Sequence, residues 1–159
     1  MGFLTGKTAI ITGGGRAVLS NGECGSIGYG IATAYAKEGA NLVLTGRNVQ
    51  KLTDAKEELE AKYSIKVLPV QADVSAGSDN EAIVQNVVKQ AIDTFGRIDV
   101  LINNAQASAS GVTIADHTTE QFDLAVYSGL YAAFYYMKEC FPYLKQGKQP
   151  RVINFASSA

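Results

Sequence analysis

Residues 7–30 read KTAIITGGGRAVLSNGECGSIGYG. A short apolar run from Lys7 to Thr12 leads into Gly13, Gly14 and Gly15. After a polar interval, Ser26 and Ile27 precede Gly28 and Gly30 at the head of an amphipathic segment. A buried strand that ends in glycines and feeds a helix start is the setting a pyrophosphate needs. The helix N-terminus offers unpaired N–H groups and the positive end of the dipole. Glycines remove the Cβ atoms that would keep a ligand from the backbone. Glycine clusters also make plain turns, so the strand-to-helix context carries the reading.

Working outward, Ser26 is an N-cap candidate and Gly39 a stop for the first helix. Asn41 to Thr45 (NLVLT) reads as a second strand and Asn48 to Tyr63 as a second helix. Leu52, Ala55, Leu59 and Tyr63 share one face of that helix. Ile65 to Ala72 reads as a third strand, and Pro69 within it predicts an edge or irregular position. From Asp79 to Phe95, Ile83, Val84, Val87, Val88, Ala91, Ile92 and Phe95 form one apolar stripe. Ile98 to Asn103 is a fourth strand. Thr118 to about Gln146 predicts a long helix that Pro142 should end or kink. Val152 to Phe155 begins a fifth strand. Alternation of this kind predicts parallel strands with right-handed helical crossovers. The expected fold is α/β, a Rossmann-type doubly wound parallel sheet, as a single domain over 1–159 that stops after the fifth strand.

With 159 residues, 47% apolar and 18% charged, the composition is that of a soluble globular domain. A net charge of −1 gives no reason to expect nucleic acid or an anionic membrane as partner. No signal peptide or membrane-spanning run is visible. Cys24 and Cys140 lack metal-site spacing and read as reduced thiols of a cytoplasmic protein. His117 has no metal partner in sequence and reads as a surface residue, so no metal site is expected.

The second strand ends Thr45-Gly46-Arg47-Asn48, and no Asp or Glu lies between Gly39 and Lys51. An acidic residue here would bind a ribose 2′-OH and favour NAD. Arg47 instead suits a 2′-phosphate through a fork-shaped, charge-assisted contact. That reading favours NADP(H) as cofactor; the alternative is a solvated arginine near a helix start. Val18 to Gly25 is long for a pyrophosphate turn, and reads either as a flap over the phosphate site or as a floppy insertion.

Thr12-Gly13 with Ser26-Ile27-Gly28, Ala72-Asp73-Val74, Asn103-Asn104-Ala105 and Ile153-Asn154-Phe155-Ala156-Ser157 occur in one order. That order resembles the short-chain dehydrogenase/reductase family over essentially the whole chain. The resemblance implies cofactor contacts from Gly13, Gly14, Gly15, Ser26, Ile27, Gly28, Arg47, Asp73, Val74, Asn104 and Ala105. It implies that Asp73 holds the adenine amino group. It also implies that Asn103 and Asn104 stabilise the central strand and flank the nicotinamide ribose. Ser157 would be the catalytic residue that hydrogen-bonds the substrate oxygen. Residues 26–48, Asn104 to Gly111 (NAQASASG) and Tyr127 to Tyr136 (YSGLYAAFYY) further resemble bacterial NADP-dependent hydroxysteroid dehydrogenases acting at the 12α position of bile acids. The implied substrate is a small apolar alcohol or ketone, a steroid, and the implied assembly a homo-oligomeric dimer or tetramer. SIGYGIA also resembles the loop of enoyl-acyl-carrier-protein reductases.

Three departures from the family pattern stand out. Gln106 replaces the glycine that commonly follows Asn-Asn-Ala, and Gly129 stands where the family has a catalytic Asn. The family's Tyr with a Lys four residues later is also missing, since no Tyr here has a Lys at that spacing. The chain alone is therefore expected to be inactive, the N-terminal, cofactor-binding portion of an oxidoreductase. The alternatives are a non-catalytic NADP-binding module and an acyl-chain reductase. Tyr127, Tyr131, Tyr135 and Tyr136 read as core or subunit interface, or else as a wall for a bulky apolar substrate. Exposed along the long helix and the fifth strand, an apolar face is an aggregation hazard.

Overall fold

The structure is a computed structural model and describes residues 2–156. The elements run β1 (Thr8–Thr12), α1 (Ile27–Lys37), β2 (Asn41–Gly46), α2 (Val49–Lys62), β3 (Val67–Gln71) and α3 (Asn80–Phe95). They continue with β4 (Val100–Asn103), α4 (Thr119–Val126), α5 (Ala132–Leu144) and β5 (Arg151–Asn154). The strands form one five-stranded sheet in the order β3-β2-β1-β4-β5. Each pairing is parallel, with Ile10 aligned to Val43 and to Leu101. This is the doubly wound arrangement the alternation predicts.

Side chains of a strand alternate between faces, and the two cores follow that period. On one face Ala9, Ile11, Leu42, Leu44 and Ile102 pack under α1 and α2, meeting Tyr29, Ala32, Leu52, Ala55 and Leu59. On the other, Ile10, Val43 and Leu101 meet Val84, Val87, Val88 and Ala91 of α3 and Tyr136, Cys140 and Leu144 of α5. β1 is buried at every position, as a central parallel strand must be. β3 is an edge strand, which accommodates Pro69. β5 is the opposite edge and is exposed along its length.

Helix starts are set by side-chain caps. Ser26 accepts from the Tyr29 N–H, Asn48 from the Lys51 N–H, and Thr118 forms a capping box with Gln121. Gly39 turns the chain after α1 at φ +86°. His117 is half-buried just ahead of the Thr118 cap, with Nδ1 3.4 Å from the Thr113 carbonyl oxygen.

The single helix expected from Thr118 to Gln146 is not continuous. A π turn at Tyr127–Tyr131 separates α4 from α5, and α5 ends two residues past Pro142, at Leu144. The Ser128 hydroxyl lies 2.7 Å from the Leu124 carbonyl oxygen, competing for an acceptor the helix would use. Gly129 sits inside the same turn, where its low helix propensity weakens the regular ladder.

Of the tyrosine group only Tyr136 is core. Tyr127, Tyr131 and Tyr135 form a ladder with ring centroids 5.4 and 6.1 Å apart, and Tyr135 packs against the edge of the core. Cys140 is buried and Cys24 exposed, both as free thiols. Burial pushes the Cys140 thiol up to about 12.

Candidate functional site

The C-terminal ends of β1 and β4 meet where the strand order reverses, the position at which open α/β sheets bind ligands. Gly13 turns the chain out of β1 at φ +71°, a left-handed backbone that favours glycine. The Gly13 and Gly14 N–H groups both donate to the Thr45 carbonyl, at 2.8 and 3.1 Å. These two amides are spent on β2. Gly14 is buried against Leu44, and Gly15 lies on Lys51.

Gly28 supplies the close approach. A Cβ there would stand 2.1 Å from the Gly13 carbonyl oxygen and 2.7 Å from Asn104 Nδ2. The first turn of α1 is thereby pressed against the β1 turn. The Ile27 and Gly28 N–H groups find no acceptor among the described residues, as expected for first-turn amides. They stand unpaired at the positive end of the α1 dipole, beside the Gly13 turn that borders the outer cleft.

Thr12, named from sequence only as part of a motif, is the hub of the site. Its hydroxyl accepts the N–H groups of Asn104 and Ala105, each at 2.9 Å, and Asn104 Nδ2 donates to the Thr12 carbonyl at 2.9 Å. A hydroxyl at the C-terminal end of a buried strand is the available signal. Asn103 Nδ2 donates to Asn154 Oδ1 at 2.8 Å, crossing from β4 to β5. Among the described residues Asn103 Oδ1 is buried without a partner, an acceptor left over at the base of the site.

Two adjoining clefts follow from this frame. The outer one, about 280 Å³, is walled by Gly13, Arg47, Asp73, Val74, Asn104 and Ala105. Six of the expected cofactor contacts thus converge on it. Arg47 is exposed and makes no ion pair among the described residues. Asp73 Oδ1 accepts the Ser75 N–H at 2.9 Å and the Ser75 hydroxyl at 2.6 Å. Burial pushes the Asp73 carboxyl up, but the Ser75 donors and the nearby Arg47 charge outweigh it and hold it below the usual value. Its second oxygen remains for a ligand donor.

The inner cleft, about 410 Å³, is reached past Asn104 and Gln106 and is lined by Asn103, Ser128, Gly129, Tyr136 and Phe155. Asn80, a residue missed from sequence, secures its rim. It is buried at the start of α3 and donates to the carbonyls of Val74 and Tyr127 at 2.9 and 3.1 Å. Ser157 lies outside the described residues.

The Val18–Gly25 segment is a small hairpin closed by a Val18–Cys24 bridge and by the Gly25 N–H donating to Ala17 O at 2.7 Å. It leans on α1, with Cys24 Sγ 3.9 Å from Thr33 Oγ1. None of its residues lines either cleft, and the segment is a folded hairpin rather than a floppy insertion. Its approach is anchored on α2. The Arg16 N–H donates to Lys51 O at 2.7 Å, and the Arg16 guanidinium pairs with Glu58. Lys62 at 2.6 Å and Arg16 together hold the Glu58 carboxyl down at about 2.

Among the described residues no group of His, Cys, Asp and Glu has the makings of a metal site. No described helix is long and apolar enough to cross a membrane.

Comparison with known proteins agrees with this geometry. The chain is 64% identical over its whole length to the 12alpha-hydroxysteroid dehydrogenase of a Clostridium species, covering 58% of that protein. It therefore spans little more than half the length of that relative. A short chain dehydrogenase from Burkholderia cenocepacia, solved in complex with NADP, superposes with a TM-score of 0.83 at 26% identity. That match covers 98% of this chain and 57% of the other. A metagenomic short-chain oxidoreductase in complex with NADP gives 0.81 at 26% identity, over 95% of this chain and 62% of its own. The short chain dehydrogenase family model matches residues 7–159, and the chain belongs to that family.

Proposed function

We propose that this chain binds NADP(H) across the outer and inner clefts and serves an oxidoreductase that interconverts a hydroxyl and a ketone on a steroid. The observation that carries the cofactor reading is the pressing of Gly28 onto the Gly13 turn at the strand-order reversal, next to the unpaired first-turn amides of α1. The residues fit the group. Ile27 and Gly28 N–H groups suit the pyrophosphate, and the spare Asp73 oxygen suits the adenine amino group. Arg47, in no ion pair among the described residues, suits the 2′-phosphate. The spare Asn103 Oδ1 is an acceptor at the inner end. Bound NADP(H) supplies the hydride-transfer chemistry. The chain's own part is to hold the dinucleotide extended across the two clefts and to keep one side of the inner cleft apolar through Phe155 and Tyr136.

The steroid assignment rests on the 64% identity to the Clostridium enzyme. Ser157, three residues past Asn154, takes the role of orienting the substrate oxygen in this reading.

Cofactor choice is tested by titrating the chain with NADPH and NADH and repeating both with Arg47→Ala. NADPH should bind more tightly. Arg47→Ala should weaken NADPH by about 10- to 100-fold, the worth of one charge-assisted contact, and leave NADH nearly unchanged. Tighter NADH binding that ignores Arg47→Ala refutes the assignment.

A further inference from the structure

Residue 106 is clamped from both sides. Ahead of it the Thr12 hydroxyl accepts the Asn104 and Ala105 N–H groups at 2.9 Å. Behind it the Ser128 hydroxyl accepts the Ala107 N–H at 2.9 Å and lies 3.0 Å from the Ala107 carbonyl oxygen. Ser128 is buried in the π turn, so the clamp fastens the exit of β4 to that turn. With the backbone held, the Gln106 side chain runs over Gly129. A Cβ on Gly129 would stand 3.4 Å from Gln106 Nε2 and 3.7 Å from its Cγ and Cδ. A bare methyl would only touch it, whereas any longer side chain at 129 would occupy the space the carboxamide fills.

The carboxamide itself is exposed and has no hydrogen-bond partner among the described residues. It is therefore not a structural tie. It stands where the two clefts join, since Gln106 borders both while Gly129 borders only the inner one. A carboxamide both donates and accepts, so it suits neutral hydroxyl and amide partners.

We propose that the Gln106 carboxamide is a ligand-positioning group that hydrogen-bonds the nicotinamide-riboside half of a bound dinucleotide, and that Gly129 lacks a side chain to admit it. This rests on the dinucleotide reading above. The adenosine half belongs to the outer cleft, where Arg47 and Asp73 stand. The head of Gln106 lies over the inner one.

The test is a pair of titrations on the 159-residue chain. NADPH probes both halves; adenosine 2′,5′-bisphosphate, which lacks nicotinamide and its ribose, probes only the outer cleft. Gln106→Ala should weaken NADPH by about 3- to 10-fold, one neutral hydrogen bond, and leave the bisphosphate unchanged. Gln106→Met, which keeps the length and removes the hydrogen bonds, should behave in the same way. Gly129→Asn should displace the carboxamide and weaken NADPH, while Gly129→Ala should not. Gln106→Gly combined with Gly129→Asn moves the amide to the other side of the contact and should recover most of the loss. Equal weakening of both probes, or of neither, by Gln106→Ala and Gln106→Met overturns the inference. If the unmodified chain binds no NADPH, the dinucleotide reading falls and takes this one with it. If that chain binds and the Gln106 variants match it, only this inference falls.

Discussion

Substituting Gly28 by alanine tests the geometry on which the site depends. The new Cβ would meet the Gly13 carbonyl oxygen at 2.1 Å and Asn104 Nδ2 at 2.7 Å. Relief to ordinary contact requires roughly 1 Å of separation. Neither neighbour yields cheaply. Gly13 is held by its N–H to Thr45 O at 2.8 Å, and the Asn104 amide by Thr12 O at 2.9 Å. Overpacking costs about 1–3 kcal/mol, and one displaced hydrogen bond adds about 1 kcal/mol. The sum, about 2–4 kcal/mol, is a large part of a typical domain's stability. For a chain of this size that lowers Tm by about 5–15 °C. Moving the helix start also misplaces the Ile27 and Gly28 N–H groups, so NADPH affinity should fall by about tenfold or more. Gly30→Ala is the control. Its Cβ would meet only Cys24 Cβ, at 3.7 Å, and the substitution should be neutral or stabilise α1 by up to about 1 kcal/mol. Thermal unfolding followed by circular dichroism and NADPH titration read both variants. A Gly28→Ala chain with unchanged Tm and affinity would refute the close-approach reasoning.

Other consequences concern the frame around the site. Thr12→Val removes the acceptor shared by the Asn104 and Ala105 amides and should cost about 2–3 kcal/mol in urea unfolding. Thr12→Ser should cost far less, and equal losses would show that the hydroxyl is not the hub. Asp99 is fully buried, accepts the Thr8 N–H at 2.9 Å and pairs with Arg97. Burial pushes its carboxyl up, but the Arg97 and Thr8 donors prevail and hold it below the usual 3.8. Glu58 is lowered further, from 4.5 to about 2. Both folded-state values are depressed, so their stabilisation is complete above the unfolded values and disappears as pH falls through the folded ones. The urea midpoint should therefore decline between pH 4.5 and about 2, and Glu58→Gln should flatten that decline. An acid limb unaltered in Glu58→Gln would contradict this.

Much of the fold was legible because its signals are local. Apolar runs at Thr8–Thr12 and Asn41–Gly46 and the stripe on α3 each carry their period within a few residues. Ser26, Asn48 and Thr118 announce helix starts by chemistry that acts on the next turn. Pro69 marked an edge because proline cannot donate to a ladder. The π turn was not legible. Tyr127 to Tyr131 has ordinary helical spacing, and the turn forms where the Ser128 hydroxyl reaches both Leu124 O and the Ala107 segment. The latter contact spans a sequence separation of 21 residues.

The candidate site divides along the same line. By itself the sequence determined that glycines lie between a strand and a helix, that Arg47 and no acid ends the second strand, and that Gln106 and Gly129 depart from the family pattern. Only the tertiary structure decided what those residues touch. It spent the Gly13 and Gly14 amides on Thr45 and left those of Ile27 and Gly28 open. It closed Val18–Gly25 into a hairpin that touches α1 through Cys24 and Thr33. It also made Thr12 a partner of Asn104 across 92 residues, and set Gln106 over Gly129. Local periodicity and capping act over a few residues of one segment. Which polar group is left without a partner depends on contacts between segments far apart in the chain, and these exist only once the sheet has closed.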